Sequence, residues 1–197
     1  HDLLIEGTAT DVTEATYERF GLSVVPCGTS LAGFEAADPA RLRDVVAELA
    51  TGTDVLLLDS PAALGSKSAV LPVVLADRVV IVVEPTIPAL SDGLKVQEYA
   101  RSYGTETAGV LLNRVREAAE PVATQAGRHF GGPVLASVPD SDVVRAARRA
   151  GMPLLAHAPD SEPADRYREA AARLEVRDGD SEQVAARFKS AVVPDTP

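Results

Sequence analysis

Five short apolar runs recur along the chain: "LSVVP" (22–26), "VLLLD" (55–59), "RVVIVVE" (78–84), "AGVLLN" (108–113) and "PVLASVP" (133–139). Each is parted from the next by a stretch long enough for a helix. Few folds accept that alternation. Strand, helix, strand in sequence predicts an α/β fold, a mostly parallel sheet with helices on both faces. The runs are nearly continuous Val, Leu and Ile, as expected of strands buried on both sides. Aromatics make up only 4% of the 197 residues and Trp is absent, so the core must be built from branched aliphatics and Ala.

Helix boundaries are marked by capping chemistry. Asp38-Pro39 is an N-cap and first-turn pair before a helix over 38–50, which Gly52 closes. Ser91-Asp92 opens a helix running to Gly104, and Ser141-Asp142 opens one that stops at Gly151. Ser161-Glu162-Pro163 opens the last, with Tyr167, Ala170, Ala171 and Leu174 on one face. The opening "HDLLIEGTATDVTEATYE" begins without Met and reads as helix following helix, the middle of a domain. It points to a processed protein or a fragment.

Several function classes are excluded by composition. A formal charge of −10 argues against a nucleic-acid binder, which shows a basic patch. Lysines are only Lys67, Lys95 and Lys189, and this acidic, Arg-using surface suggests a salt-adapted source. Cys27 is alone, ruling out a disulfide framework within the chain, and His1, His129 and His157 lack ligand spacing. No apolar run approaches the roughly 18 residues of a spanning helix.

Asp59 is the residue that most invites chemistry. It closes an apolar run and is followed at once by Ser60-Pro61, the place where open α/β sheets present ligands. Such an acid holds Mg²⁺, usually through water, beside a glycine-rich phosphate loop. It is equally suited to capping a strand-to-helix turn. The phosphate loop, G-x-x-x-x-G-K-[ST], is not in this sequence, which has no Gly-Lys dipeptide. The nearest look-alike, "GSKS" at 65–68, has the wrong spacing and follows the acid directly.

Taken in order, "GLSVVPCGTSLAGFEAADPARL", "TDVLLLDSPAAL", "DRVVIVVEPTIPALSDGLKV", "GVLLNRV", "VPDSDVVRAARRAGMPLL" and "SEPADRYREAAARL" resemble segments of the MinD/ParA family of deviant P-loop ATPases, MinD-like branch. The resemblance covers most of residues 1–175 as one domain. Residues 176–183 form a polar linker and 184–197 a short amphipathic tail. It implies ATP and Mg²⁺ as cofactors of an intact parent, with Asp59 holding the Mg²⁺ shell and the segment from Ser60 and Pro61 to Ala63 as a γ-phosphate switch. Asn113, Arg114, Pro139 and Asp140 would frame adenine, and Asp92 would lie near a homodimer face. Asn113-Arg114 also reads as strand-end polarity, Asp140 as a helix N-terminal acid and Asp92 as an N-cap. Ala63 stands where the family has Gly, which restricts the switch backbone.

The resemblance places the family's first β-α-β unit, with its phosphate loop, upstream of His1. Its absence leaves strand groups unpaired at about 1–3 kcal/mol each, so the chain as given is expected to be unstable or oligomeric. It is also expected not to hydrolyse ATP. The parent would be a cytoplasmic, dimerising switch positioning cell-division or other polar machinery through a protein partner. The alternatives are a nucleotide-free interaction protein and a cargo-positioning ATPase of ParA type. The family's membrane-binding tail is matched weakly by Val184, Phe188, Ala191 and Val192. Asp178, Asp180 and Glu182 precede that stripe, so peripheral membrane binding is the weaker expectation. Arg145, Arg148 and Arg149 read as a solvated helix face rather than a nucleic-acid stripe.

Overall fold

The computed structural model describes residues 2–6, 11–26, 28, 30–61, 67–116 and 120–176. Cys27, Ala63, Gly65 and Ser66 of the "GSKS" stretch, and the linker and tail from residue 177 lie outside them. The chain forms two compact units, one up to Leu75 and the other beginning at Ala76.

In the first unit, β1 (Tyr17–Arg19) and β2 (Leu22–Val24) pair antiparallel. This corrects two expectations, a helical opening and a parallel strand at 22–26. The cause is the turn between them. Phe20 and Gly21 both take positive φ, 53° and 76°, the geometry of a two-residue hairpin that follows strand twist. Helix α1 (Leu31–Ala36) is capped by the Ser30 hydroxyl, which accepts from the Gly33 amide. Asp38 caps a 3-10 turn at Pro39–Arg41, its carboxylate accepting from the Ala40 amide at 2.9 Å, and α2 (Leu42–Ala50) follows.

The run at 55–59 forms no strand. It has no regular secondary structure, with Val55 47% and Leu57 80% exposed. Apolar content alone does not make a strand, because its amides and carbonyls need a ladder partner, and among the described residues none pairs with it. Helix α3 (Lys67–Leu75) was not foreseen: Ala69 to Leu71 and Val73 to Leu75 are all buried, so it lacks the polar face that betrays helical period.

The second unit realises the expected architecture. Strands β3 (Arg78–Val83), β4 (Glu106–Val115) and β5 (Val134–Pro139) form a parallel sheet in the order β3-β4-β5. Helix α4 (Ile87–Ser102) follows β3, α5 (Glu120–His129) follows β4, and β5 leads into α6 (Asp142–Arg149), α7 (Leu154–His157) and α8 (Glu162–Arg173). On one face Ile81, Val83, Val110, Leu112 and Val115 pack with Leu90 of α4, Ala126 of α5 and Phe130. On the other, Leu111, Leu135, Ala136 and Val138 pack with Tyr167 and Ala170 of α8 and with Leu174. Ala171, expected on that face, is exposed.

Helix α4 begins four residues before the expected start. Thr86 is its N-cap, accepting from the Ala89 amide, and Pro88 occupies the first turn. Asp92 therefore lies inside the helix rather than capping it. Arg173 of α8 donates to the carbonyls of Val134 (3.5 Å) and Leu135 (3.2 Å) on the outer edge of β5. On β3, Val80 and Val82 share the sheet face of Leu111 but are 38% and 56% exposed.

Gly109 of β4 sits where a Cβ would lie 2.6 Å from Leu135 Cγ and 2.8 Å from the Pro133 carbonyl oxygen. A backbone atom cannot rotate away, so Gly109→Ala is expected to destabilise the fold by about 1–3 kcal/mol. Thermal melts read by circular dichroism check this; an unchanged midpoint would show that the β4–β5 contact at Gly109 accommodates a methyl group.

Candidate functional site

The carboxyl ends of β3, β4 and β5 make a rim, the place where parallel sheets expose backbone ends and polar side chains to ligands. Glu84 follows β3, Asn113 to Val115 finish β4 with Arg116 just beyond, and Pro139 finishes β5 with Asp140 next. The ladder between β4 and β5 slips there. Leu112 pairs with Ser137, but the next pair is Val115 with Pro139, so β4 carries one extra residue.

The bulge puts Arg114 at φ 52°, the left-handed region that suits glycine. Asn113 Oδ1 accepts from the Arg114 amide at 2.9 Å, which supports the bend and fixes the Asn113 carboxamide. The Arg114 guanidinium donates to Glu84 at 2.8 Å, with the two side chains 60% and 44% exposed. An exposed pair of that kind contributes about 0.2–1 kcal/mol, against about 1–3 kcal/mol for a strained backbone. The pair does not by itself account for an arginine at this position.

The Asp140 amide donates to the Val115 carbonyl at 3.0 Å, closing the rim between β4 and β5. Its carboxylate is held from two sides. Arg145 of α6 donates to Oδ1, and Arg116, just past β4, donates to Oδ2 at 3.2 Å. Arg145 also reaches Asp142 at 2.8 Å. The hydrogen bond from Arg145, above all, holds the Asp140 carboxyl below its ordinary range. Partial desolvation opposes it, and Arg116 adds to it. The Arg145 guanidinium is pushed up in turn, first by Asp142 and then by Asp140. Ser141 caps α6, its hydroxyl accepting from the Val143 amide.

A groove of about 530 Å³ begins at Pro139 and Arg116 and runs along the outer edge of β5 toward Arg166 and Arg173 of α8. A second cleft of about 200 Å³ lies between α4 and α5 and is almost wholly apolar, lined by Leu90, Leu94 and Phe130 among others.

Asn113, Arg114, Pro139 and Asp140 thus meet on one rim. Asp59, Ser60 and Pro61 belong to the first unit. There Asp59 and Pro61 are exposed, and the Ser60 hydroxyl donates to the Ala69 carbonyl at 3.0 Å. Asp92, on α4, pairs with Lys95 at 2.8 Å. Sequence reasoning missed Glu84, Arg116 and Arg145. Arg145, expected on a solvated face, instead binds the rim; its i,i+3 spacing from Asp142 was the available signal.

A family model described as 4Fe-4S iron sulfur cluster binding proteins, NifH/frxC family, matches residues 51–186. The septum site-determining protein MinD of Pyrococcus horikoshii, solved with Mg-ADP, superposes with a TM-score of 0.72 at 25% identity, over 84% of this chain and 69% of that one. The chain belongs to the NifH/frxC family, among its MinD/ParA-like P-loop ATPases. An uncharacterised ATP-binding protein of Methanocaldococcus jannaschii is 34% identical over 148 residues, 74% of this chain and 55% of the relative. The septum site-determining protein MinD of Thermotoga maritima is 30% identical over 58% of this chain and 44% of its own length. The chain spans about half the length of the curated relatives it matches.

An iron–sulfur cluster does not fit these residues. A [4Fe–4S] centre takes four thiolates, whereas the matched segment contains no cysteine and the chain only Cys27. Among the described residues no three His, Cys, Asp or Glu side chains gather as a metal site. Mg²⁺ with a nucleotide asks less, often one carboxylate acting with waters and phosphates, and Asp59 supplies such an exposed oxygen donor. No described helix is long and apolar enough to cross a membrane.

Because the Asp140 carboxyl titrates lower when folded, its contacts stabilise the rim fully above the ordinary carboxylate range. That contribution is lost as pH falls through the lowered midpoint. Arg145→Ala is expected to move the Asp140 midpoint up toward the ordinary carboxylate range. A carboxyl ¹³C titration by NMR checks this, and an unmoved midpoint would show that Arg145 does not hold the acid.

Proposed function

We propose that this chain is part of a MinD-like, ATP-dependent dimerising switch that positions cell-division or other polar machinery, with the β4–β5 rim as its adenine site. The observation that carries the reading is the meeting of Asn113-Arg114 and Pro139-Asp140 at the ends of two adjacent parallel strands. Asn113, its oxygen engaged by the Arg114 amide, directs its NH₂ group toward acceptors on the base. Pro139 offers the ring an apolar edge beside the groove. Asp59 would hold the Mg²⁺ shell through water, and bound Mg²⁺ would neutralise phosphate charge. Asp92, on the exposed side of α4, would lie near the partner subunit in a nucleotide-bound homodimer.

The phosphate-cradling motif is not among these 197 residues, so the chain by itself is expected to bind the base weakly and to hydrolyse nothing. The setting is cytoplasmic, with a protein partner in the division or positioning machinery and with membrane contact the lesser expectation. A ParA-type cargo-positioning role would use the same site.

A second reading, a nucleotide-free interaction protein, draws support from Ser60. Its hydroxyl, assigned to a phosphate-sensing switch, is bonded to the Ala69 carbonyl. Isothermal titration of Mg-ATP into the longest form that the reading frame encodes separates the two. The nucleotide reading expects saturable binding that Asn113→Ala weakens about tenfold, roughly 1.4 kcal/mol. Absence of any saturable heat would favour the nucleotide-free protein, and undiminished binding by the variant would remove Asn113 from the base site.

A further inference from the structure

We propose that Arg116 and Arg145 together are a base-specificity device that keeps the Asp140 carboxylate from reading guanine. This rests on the reading of the β4–β5 rim as a purine site. Guanine presents two adjacent N–H donors on its Watson–Crick edge, N1–H and the N2 amino group. An ionised carboxylate at a purine site accepts that pair with its two oxygens. Adenine presents a donor at N6 beside an acceptor at N1, which a carboxylate matches poorly, whereas its ring-nitrogen acceptors suit an amide NH₂ such as that of Asn113, whose oxygen the Arg114 amide engages. A free aspartate at the end of β5 would therefore tilt the rim toward guanine.

Asp140 is not free. Arg145 occupies Oδ1 and Arg116 occupies Oδ2 through both Nε and Nη2, each at 3.2 Å. The two arginines come from different elements, one from α6 and one from the segment after β4, so they grip the carboxylate from separate directions. The Asp140 side chain is left only 21% exposed, while Arg116 is 77% and Arg145 50% exposed. Arg145 is further steadied by Asp142, through Nε at 3.1 Å and Nη2 at 2.8 Å. With its charge matched and both oxygens turned to guanidinium groups, Asp140 keeps its backbone place on the rim but withdraws its acceptor pair. The Asn113 carboxamide is then the polar group left to read the base. A guanidinium fork suits this task better than an ammonium, because it fixes the plane of the carboxylate as well as its charge.

The test compares Mg-ATP and Mg-GTP affinities by isothermal titration, in the longest form that the reading frame encodes. The unaltered protein should prefer ATP. Arg116→Ala/Arg145→Ala should shift the ratio of affinities toward GTP by about tenfold or more. Adding Asp140→Asn should cancel that gain, since a carboxamide has an acceptor at only one of its two ends and presents a donor at the other. Arg145→Lys alone should keep most of the preference. Circular dichroism melts show that each variant is folded, and both arginines lie on the surface. A ratio unchanged in the folded double variant, or a gain that survives Asp140→Asn, would overturn the proposal while leaving the nucleotide reading in place. If the unaltered protein binds neither nucleotide, the nucleotide reading fails and takes this inference with it.

Discussion

The second unit depends on the two ladders that hold β4. It is the one described strand with a partner on each side, and Val110 and Leu112 at its centre are fully buried. Every feature of the rim hangs from that fixed strand. The β4–β5 ladder shifts twice, with an extra residue on β5 between Val110 and Leu111 and one on β4 between Leu112 and Val115. The second shift falls at Asn113 and Arg114, where Arg114 takes its positive φ. A strained backbone beside a polar rim is where folds commonly place function.

How much of this was legible in the sequence depended on whether local signals agreed with long-range partners. The runs at 78–84, 108–113 and 133–139 became β3, β4 and β5 because each finds a neighbour and a helix to cover it. The run at 55–59 is just as apolar, yet it has no described ladder, and period alone could not reveal that. Leu22 to Val24 is a strand of the wrong kind for a related reason: Phe20-Gly21 folds it back on Tyr17 to Arg19 before any distant strand can compete. For α4, Ser91-Asp92 looked like a start signal, but Thr86 with Pro88 caps the helix one turn earlier. Residues Asn113, Arg114, Pro139 and Asp140 could be placed together by family likeness. Arg116 and Arg145 could not, because their roles arise only when the end of β4 meets the start of α6.

The arginines of this acidic chain are anchored more often than its charge would suggest. In the second unit Arg114, Arg116, Arg145, Arg166, Arg168 and Arg173 each bond a carboxylate, and Arg168 and Arg173 also bond a carbonyl. Singly, exposed pairs contribute little to stability. Their effect is directional instead, since a planar guanidinium with several donors fixes where two backbone segments lie. Arg78 does so at the base of the sheet, reaching the Glu175 carbonyl at 2.6 Å and so tying the segment after α8 to the first residue of β3.

Arg173 gives the sheet a polarity that its strand order alone would not. By bonding the Val134 and Leu135 carbonyls, it occupies acceptors that an incoming strand would need, so β5 is a poor template for added chain. No described strand pairs with the far edge of β3, and on its Leu111 face Val80 and Val82 are partly exposed. The sheet is therefore terminated at one border and receptive at the other. Any strand that lengthens it, from this polypeptide or from another, has one direction in which to join.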